Sequence, residues 1–286
     1  MFHWPLALAA LACSAAAGAA APEPAMPPTS KWVVNFADAQ CVATRNYGTE
    51  ADPLYLVLKA PAIGDTIQLG FVRKGARLDA NQVNGELIFD EASPLKASFL
   101  EFGVKSMGQR ARFVNLAARD VPALRQAKTI RVRIREKGIE RLGTRFGMGQ
   151  ASGEEAFAVT QMSALLATLG TCAADLRRIW RAWDDEKGGE GLKQGPSANL
   201  SQLFSGDDYP GVAALKGQQG RVSMVILVDE QGKVADCTVI DTSGVASLDA
   251  QSCSVIKLGA KYQPAIGLDG KPAKSAVFQR ISWKMF

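Results

Sequence analysis

The chain has a single histidine, His3, and it lies in a segment expected to be removed. A mature chain without histidine cannot run a His-based catalytic triad or bind zinc through imidazole. Cysteine is scarce, with five in 286 residues, and no two form a Cys-x-x-Cys pair. Thioredoxin-like and zinc-ribbon readings therefore have no support. Gly-x-Ser-x-Gly, a P-loop and metal-ligand spacings are also absent. An excess of one charge is missing too. The 33 Lys and Arg against 28 Asp and Glu leave a formal +5, which is no nucleic-acid footprint. What is present is ordinary globular composition, 47% hydrophobic and 21% charged, at a length of one to two domains.

Residues 1–21 read as a signal peptide. Leu6 to Ala12 is a short apolar core, and small residues lead to cleavage after Ala20 or Ala21. The expected location is the periplasm. Two alternatives stay open. The segment is retained as an inner-membrane anchor, although a span needs about 20 apolar residues and this run is short and Ala-rich. Or Cys13 is lipidated, although Ala10 stands where a larger aliphatic is preferred. Without the leader four cysteines remain, Cys41, Cys172, Cys237 and Cys253, and in an exported protein they imply two disulfides with three possible connectivities.

Residues 22–30 are a Pro-rich lead, expected to be extended and disordered. From Lys31 short β-branched and aromatic runs follow one another: WVVNFA, AQCVATR, LYLVLKA, TIQLGFV, ELIFD, ASFLEFGV and ARFVNLA. Tyr47-Gly48-Thr49, Ile63-Gly64-Asp65 and Asn84-Gly85 read as turns between them. One helical turn is expected at Asp120 to Arg125, then a strand from Thr129 to Arg135. There Ile130, Val132 and Ile134 face one way and Arg131, Arg133 and Arg135 the other, a row expected to be a solvated face, with an anion or lipid-headgroup seat as the alternative. A helix from about Thr160 to Trp183 carries Met162, Leu165, Leu166, Leu169, Cys172, Leu176, Ile179, Trp180 and Trp183 on its expected apolar stripe. Residues 31–183 thus read as a mainly antiparallel β domain capped by one long helix. Residues 184–200, charged and Gly-rich, read as a linker.

Residues 201–286 have the most definite plan. Asp208 is the expected N-cap of a short helix with Pro210 in its first turn. Arg221 to Asp229 is a strand, Glu230-Gln231-Gly232 a tight hairpin and Lys233 to Ser243 a second strand. Ser247 is placed to cap a helix carrying Cys253, Ile256 and Ala260 on one side. After a turn at Gly267 to Gly270, Ala276 to Met285 is the last strand, with Val277, Ile281, Trp283 and Met285 inward. This pattern specifies a helix on a three-stranded antiparallel sheet, an α+β arrangement whose last strand is an open edge.

Here the residues carry a resemblance. Tyr209-Pro210, Gly220-Arg221-Val222, the DEQGKV hairpin at 229–234, Ser243-Gly244, Leu248-Asp249 and Tyr262-Gln263-Pro264-Ala265 resemble the TonB C-terminal domain in order and spacing. The resemblance implies pairing with the TonB box of outer-membrane receptors. It places the contact on Asp207, Asp208, Tyr209 and Pro210 and on Phe278, Arg280, Ser282 and Lys284 of the last strand. It implies the motor proteins ExbB and ExbD as partners only if the N-terminus is an uncleaved anchor. It brings no cofactor, no metal and no nucleic acid, and a protein that is not an enzyme.

The alternative is a non-transducing envelope adaptor whose TonB-like domain serves another partner. A hydrolase reading would rest on the acid pairs Asp184/Asp185, Asp207/Asp208 and Glu154/Glu155. Each pair is expected in a solvated loop or linker. The faces of the elements select the disulfides. Cys237 in the second strand and Cys253 on the covering helix are expected to bond, closing about 17 residues. Cys41 in an early strand and Cys172 on the long helix are the other pair.

Overall fold

The structure is a computed structural model that describes residues 24–36, 40–63, 66–75, 81–104, 108–135 and 152–285. The leader lies outside them. Among the described residues no helix is long and apolar enough to cross a membrane.

The first half is an antiparallel sheet of nine strands: β1 (Val33–Phe36), β2 (Cys41–Asn46), β3 (Leu54–Ala60), β4 (Ile67–Lys74), β5 (Asn81–Phe89), β6 (Leu95–Val104), β7 (Gln109–Leu116), β8 (Thr129–Arg135) and β9 (Ser152–Ala158). Their spatial order is β1-β2-β3-β4-β7-β6-β5-β8-β9. Each β-branched run of the sequence became one of the first eight strands. Asn84-Gly85 is not a turn, however. Gly85 lies inside β5, where a Cβ would stand 2.4 Å from the Arg133 carbonyl, so glycine serves close strand approach there.

The sheet curls until distant strands meet. Arg73 on β4 reaches Glu155 on β9 at 2.5 Å, although four strands lie between them in the order. The Tyr47 ring stands edge-on to Phe157 with centroids 5.0 Å apart. Inside the curl Leu56, Leu58, Leu69, Phe99, Ile130, Val132 and Phe157 are buried. Helix α2 (Met162–Ile179) closes the curl with Leu165, Leu166, Leu169 and Leu176, preceded by the short α1 (Val121–Gln126). The Cys41–Cys172 disulfide joins the start of β2 to the buried stripe of α2.

Three expectations for this half are corrected. Glu154 and Glu155 are not loop residues; they lie in β9. Glu154 bonds Arg131 at 3.2 Å and Arg133 at 2.9 Å, and Arg133 also bonds Glu86 at 3.1 Å. Arg131 and Arg133 therefore stand in an ion ladder across β5, β8 and β9, not on a freely solvated face. The Pro-rich lead is also engaged: the Met26 amide donates to the Ala156 carbonyl, and its carbonyl accepts from Ala158.

The second half contains α3 (Gly211–Leu215), β12 (Gly220–Val228), β13 (Val234–Asp241), α4 (Ala246–Gly259) and β16 (Ser275–Trp283). Its sheet has four strands, not three, in the order β10-β16-β12-β13. The extra strand is β10 (Arg181–Trp183), from the stretch expected to end the long helix. The expected linker is likewise paired. β11 (Leu192–Gln194) forms a small sheet with β14 (Ala265–Gly267) and β15 (Pro272–Ala273), and Ser197 bridges Gln263. The Trp183 ring lies against this stretch so closely that a Cβ at Gly195 would fall 2.3 Å from it.

β12 explains why the two halves hold together. Val222, Met224, Ile226 and Val228 pack under α4 with Leu248, Ile256 and Trp283. Val225 and Leu227 point the other way and, with Ala276, join the core of the first half. A strand buried on both faces must read as a continuous apolar run, and its stretch 224–228, MVILV, does.

Candidate partner-binding edge

The motifs of the second half hold each other in place. At the β12–β13 hairpin the Asp229 carboxylate accepts from the Gln231 and Lys233 amides, at 3.0 and 2.8 Å. Gly232 has φ +76°, and a Cβ on it would strike the Tyr262 carbonyl at 1.9 Å. The hairpin glycine and the Tyr-Gln-Pro-Ala stretch are thus in direct contact, which ties the two motifs into one feature. Burial pushes the Tyr262 hydroxyl up to about 12. Asp249, 6% exposed, accepts from the Ser243 amide at 2.8 Å, from the Ser243 hydroxyl at 2.7 Å and from Thr242. These bonds join the end of β13 to the first turn of α4. Val245, not Ser247, is the N-cap of that helix. Cys237 and Cys253 are disulfide-bonded between β13 and α4.

The Tyr-Pro segment and the end of β16 meet at Trp283. The Trp283 indole donates to the Ser252 hydroxyl at 2.9 Å. Tyr209 stands edge-on to the Trp283 ring at 5.2 Å and Phe204 at 5.6 Å. The Tyr209 hydroxyl donates to the Gln218 carbonyl at 2.5 Å. Asp208 is not an N-cap. Ser205 caps a 3-10 turn over Gly206–Asp208, and the Asp208 carboxylate reaches back to the Ser205 amide at 2.8 Å. Pro210 precedes the first residue of α3, and Asp207 is exposed.

Along β16 the side chains alternate. Phe278, Arg280 and Ser282 are exposed, and Val277, Ile281 and Trp283 turn inward. Phe278 is 52% exposed, an unusual position for an aromatic ring. Lys284 is exposed beyond the strand, and so is Met285, which was expected inside. All eight expected contact residues therefore fall on β16, just beyond it, or on the segment packed against its end.

The edge is only half open. β12 pairs with β16 over its whole length, from Ser275 to Trp283. On the other side β10 runs parallel and pairs only with Ser275, Ala276 and Val277. The Ser275 hydroxyl donates to the Arg181 carbonyl at 2.7 Å, fixing that cover. The sequence signal for it was weak: three residues continuing a helical stripe. Phe278 to Trp283 keep one row of main-chain groups without a ladder partner among the described residues.

The acid pairs build no hydrolytic site. Asp184 accepts from the Glu186 and Lys187 amides, which hold its carboxyl below the usual range. Asp185 accepts from the Trp183 indole, and Asp208 is taken by its cap. No curated protein matches the chain. Residues 206–285 match the family described as the Gram-negative bacterial TonB protein C-terminal, a non-enzymatic protein-interaction domain, so the second half carries a TonB C-terminal domain.

Proposed function

We propose that this is a TonB-like protein of the periplasm that binds an extended segment of an outer-membrane receptor along Phe278 to Trp283. The observation that carries the reading is the unpaired stretch of β16 beyond the reach of β10. Unpaired N–H and C=O groups on a sheet edge are a template for an added strand. The exposed Phe278, Arg280 and Ser282 would contact alternate side chains of the peptide, and Asp207 to Pro210 would flank its end near Trp283. Main-chain bonding would supply much of the affinity, and the protein as a whole would be a binder rather than an enzyme.

The test uses the full mature chain, because Val225, Leu227 and Ala276 share a core with the first half. Amide spectra are followed while a TonB-box peptide from a receptor of the same cell is added. Expected are saturable shifts at Phe278 to Trp283 and none at Ser275 to Val277. Absence of binding at millimolar peptide overturns the reading. The adaptor reading, favoured by a folded sheet where a transducer has a spacer, would then lead.

A further inference from the structure

A cleft of about 400 Å³ runs between the outer face of the first sheet and the β13–α4 face of the TonB domain. That volume lies in the range of small-molecule sites. Its floor is the pair Phe102 and Phe113, stacked with centroids 6.0 Å apart and planes 19° from parallel. Gly70 makes room for this floor, since a Cβ there would stand 2.1 Å from the Phe113 ring. The Asn115 amide donates to the Val239 carbonyl at 3.2 Å and accepts from Gln68 at 3.2 Å, bridging the two halves. The Cys237–Cys253 disulfide and Ala250 form part of the opposite wall.

Two lysines line this space; Lys96 is exposed to solvent, whereas Lys59 is partly buried and lies over the floor. The Lys59 ammonium lies 4.5 Å from the Phe113 ring centroid. Among the described residues no carboxylate stands within ion-pair distance of it. Asp236 is the carboxylate whose field reaches it, and that group is bonded to Lys257 at 3.2 Å and to the Thr238 hydroxyl at 2.9 Å. Asp249, also on the wall, is taken up by Thr242 and Ser243. Burial pushes the Lys59 ammonium down from its ordinary value, which is the cost a bound anion would relieve. An apolar floor beside a partly buried cation that forms no ion pair among the described residues calls for a ligand with an apolar body and one anionic head.

We propose that the cleft binds a free single-chain fatty carboxylate, with its chain on Phe102 and Phe113 and its head at Lys59. The site lies apart from the β16 edge and does not depend on receptor binding. It would give the first half a ligand of its own and place that ligand against the wall of the TonB domain.

The test is calorimetric titration of the full mature chain with sodium decanoate, 1-decanol and decyltrimethylammonium, all below their aggregation limits. Decanoate is expected to bind at one site, at least tenfold tighter than either other probe. Lys59→Met should weaken decanoate at least tenfold and leave 1-decanol within twofold, and Lys59→Arg should stay within threefold of the parent. Ala250→Trp, which fills the cleft from α4, should abolish binding of both decanoate and decanol. Receptor-peptide binding should be unchanged in all three variants, which separates this site from the edge. The proposal is overturned if decanoate does not saturate the parent chain. It is also overturned if Lys59→Met binds it unchanged, or if decyltrimethylammonium binds as tightly as decanoate.

Discussion

The two sheets of this protein solve burial in opposite ways. The nine-stranded sheet curls and closes its inner face on itself and on α2. The four-stranded sheet stays open and has both faces covered, one by α4 and one by its neighbour. A curled sheet needs little from outside. An open sheet with two apolar faces must borrow a cover, and here the borrowed cover is the first half of the same chain. The difference lies in the core that Val225, Leu227 and Ala276 of the TonB domain share with the first half. The domain's edge is the part left free, and even that is shortened by β10.

The largest expected effect separates the two disulfides. Cys41 and Cys172 are 131 residues apart, and Cys237 and Cys253 are 16 apart. In the chain-entropy model the long closure stabilises by about 5 kcal/mol and the short one by about 3 kcal/mol. Paired Cys→Ala variants unfolded in urea should rank in that order, and equal losses would mean that loop length is not what sets their worth.

Next comes the shared core. Leu227→Ala and Ile226→Ala should each cost about 2–5 kcal/mol, because both side chains are at most 2% exposed. Were the second face of β12 a free surface, Leu227→Ala would cost about 0.5 kcal/mol or less. A pair of denaturation curves decides between the two pictures. Gly232→Ala follows, at about 1–3 kcal/mol. The substitution combines a positive φ with the clash on the Tyr262 carbonyl. A loss of only a few tenths would show that the hairpin and the Tyr-Gln-Pro-Ala stretch can separate freely.

Much of this was legible in the sequence. The first eight strands followed β-branched runs, and the double burial of β12 is written in MVILV at 224–228. The motif residues of the TonB domain could be read as a resemblance, but their physical role could not. Asp229, Asp249 and Gly232 are framework, and the edge they support is main chain, which carries no residue signature. Two of the strands that escaped, β10 and β9, did so for a physical reason. Arg181-Ala182-Trp183 extends the helical stripe of Leu176 and Trp180 and becomes a strand only because Ser275 to Val277 offer partners. Ser-Gly-Glu-Glu-Ala-Phe-Ala has no β-branched residue at all. It is held in β9 by ladder bonds to β8 and by Arg131, Arg133 and Arg73, which lie 21 to 82 positions away. The same reason hid the cleft. Lys59 looks like a solvated strand lysine until the TonB domain closes over it.

The smallest expected effect tests how dry the curled sheet is. Glu155 lies in β9 with its carboxyl raised above the ordinary 4.5, chiefly by burial, while Arg73 and Arg112 pull it back down. One of its oxygens, Oε2, is buried without a hydrogen-bond partner among the described residues. A carboxyl whose folded value is raised holds its proton more tightly in the folded chain than in the unfolded one. The stability this contributes is full below pH 4.5 and is lost as pH rises through the raised value. The parent chain should therefore lose stability between pH 4 and pH 8 relative to Glu155→Gln, which has no proton to release there. Urea unfolding of both proteins at the two pH values measures the difference. The slope should be shallow, because the bond to Arg73 at 2.5 Å offsets much of the burial. A slope of opposite sign would mean that the arginines outweigh desolvation, so that the inside of the curl is wetter than the apolar face of the four-stranded sheet.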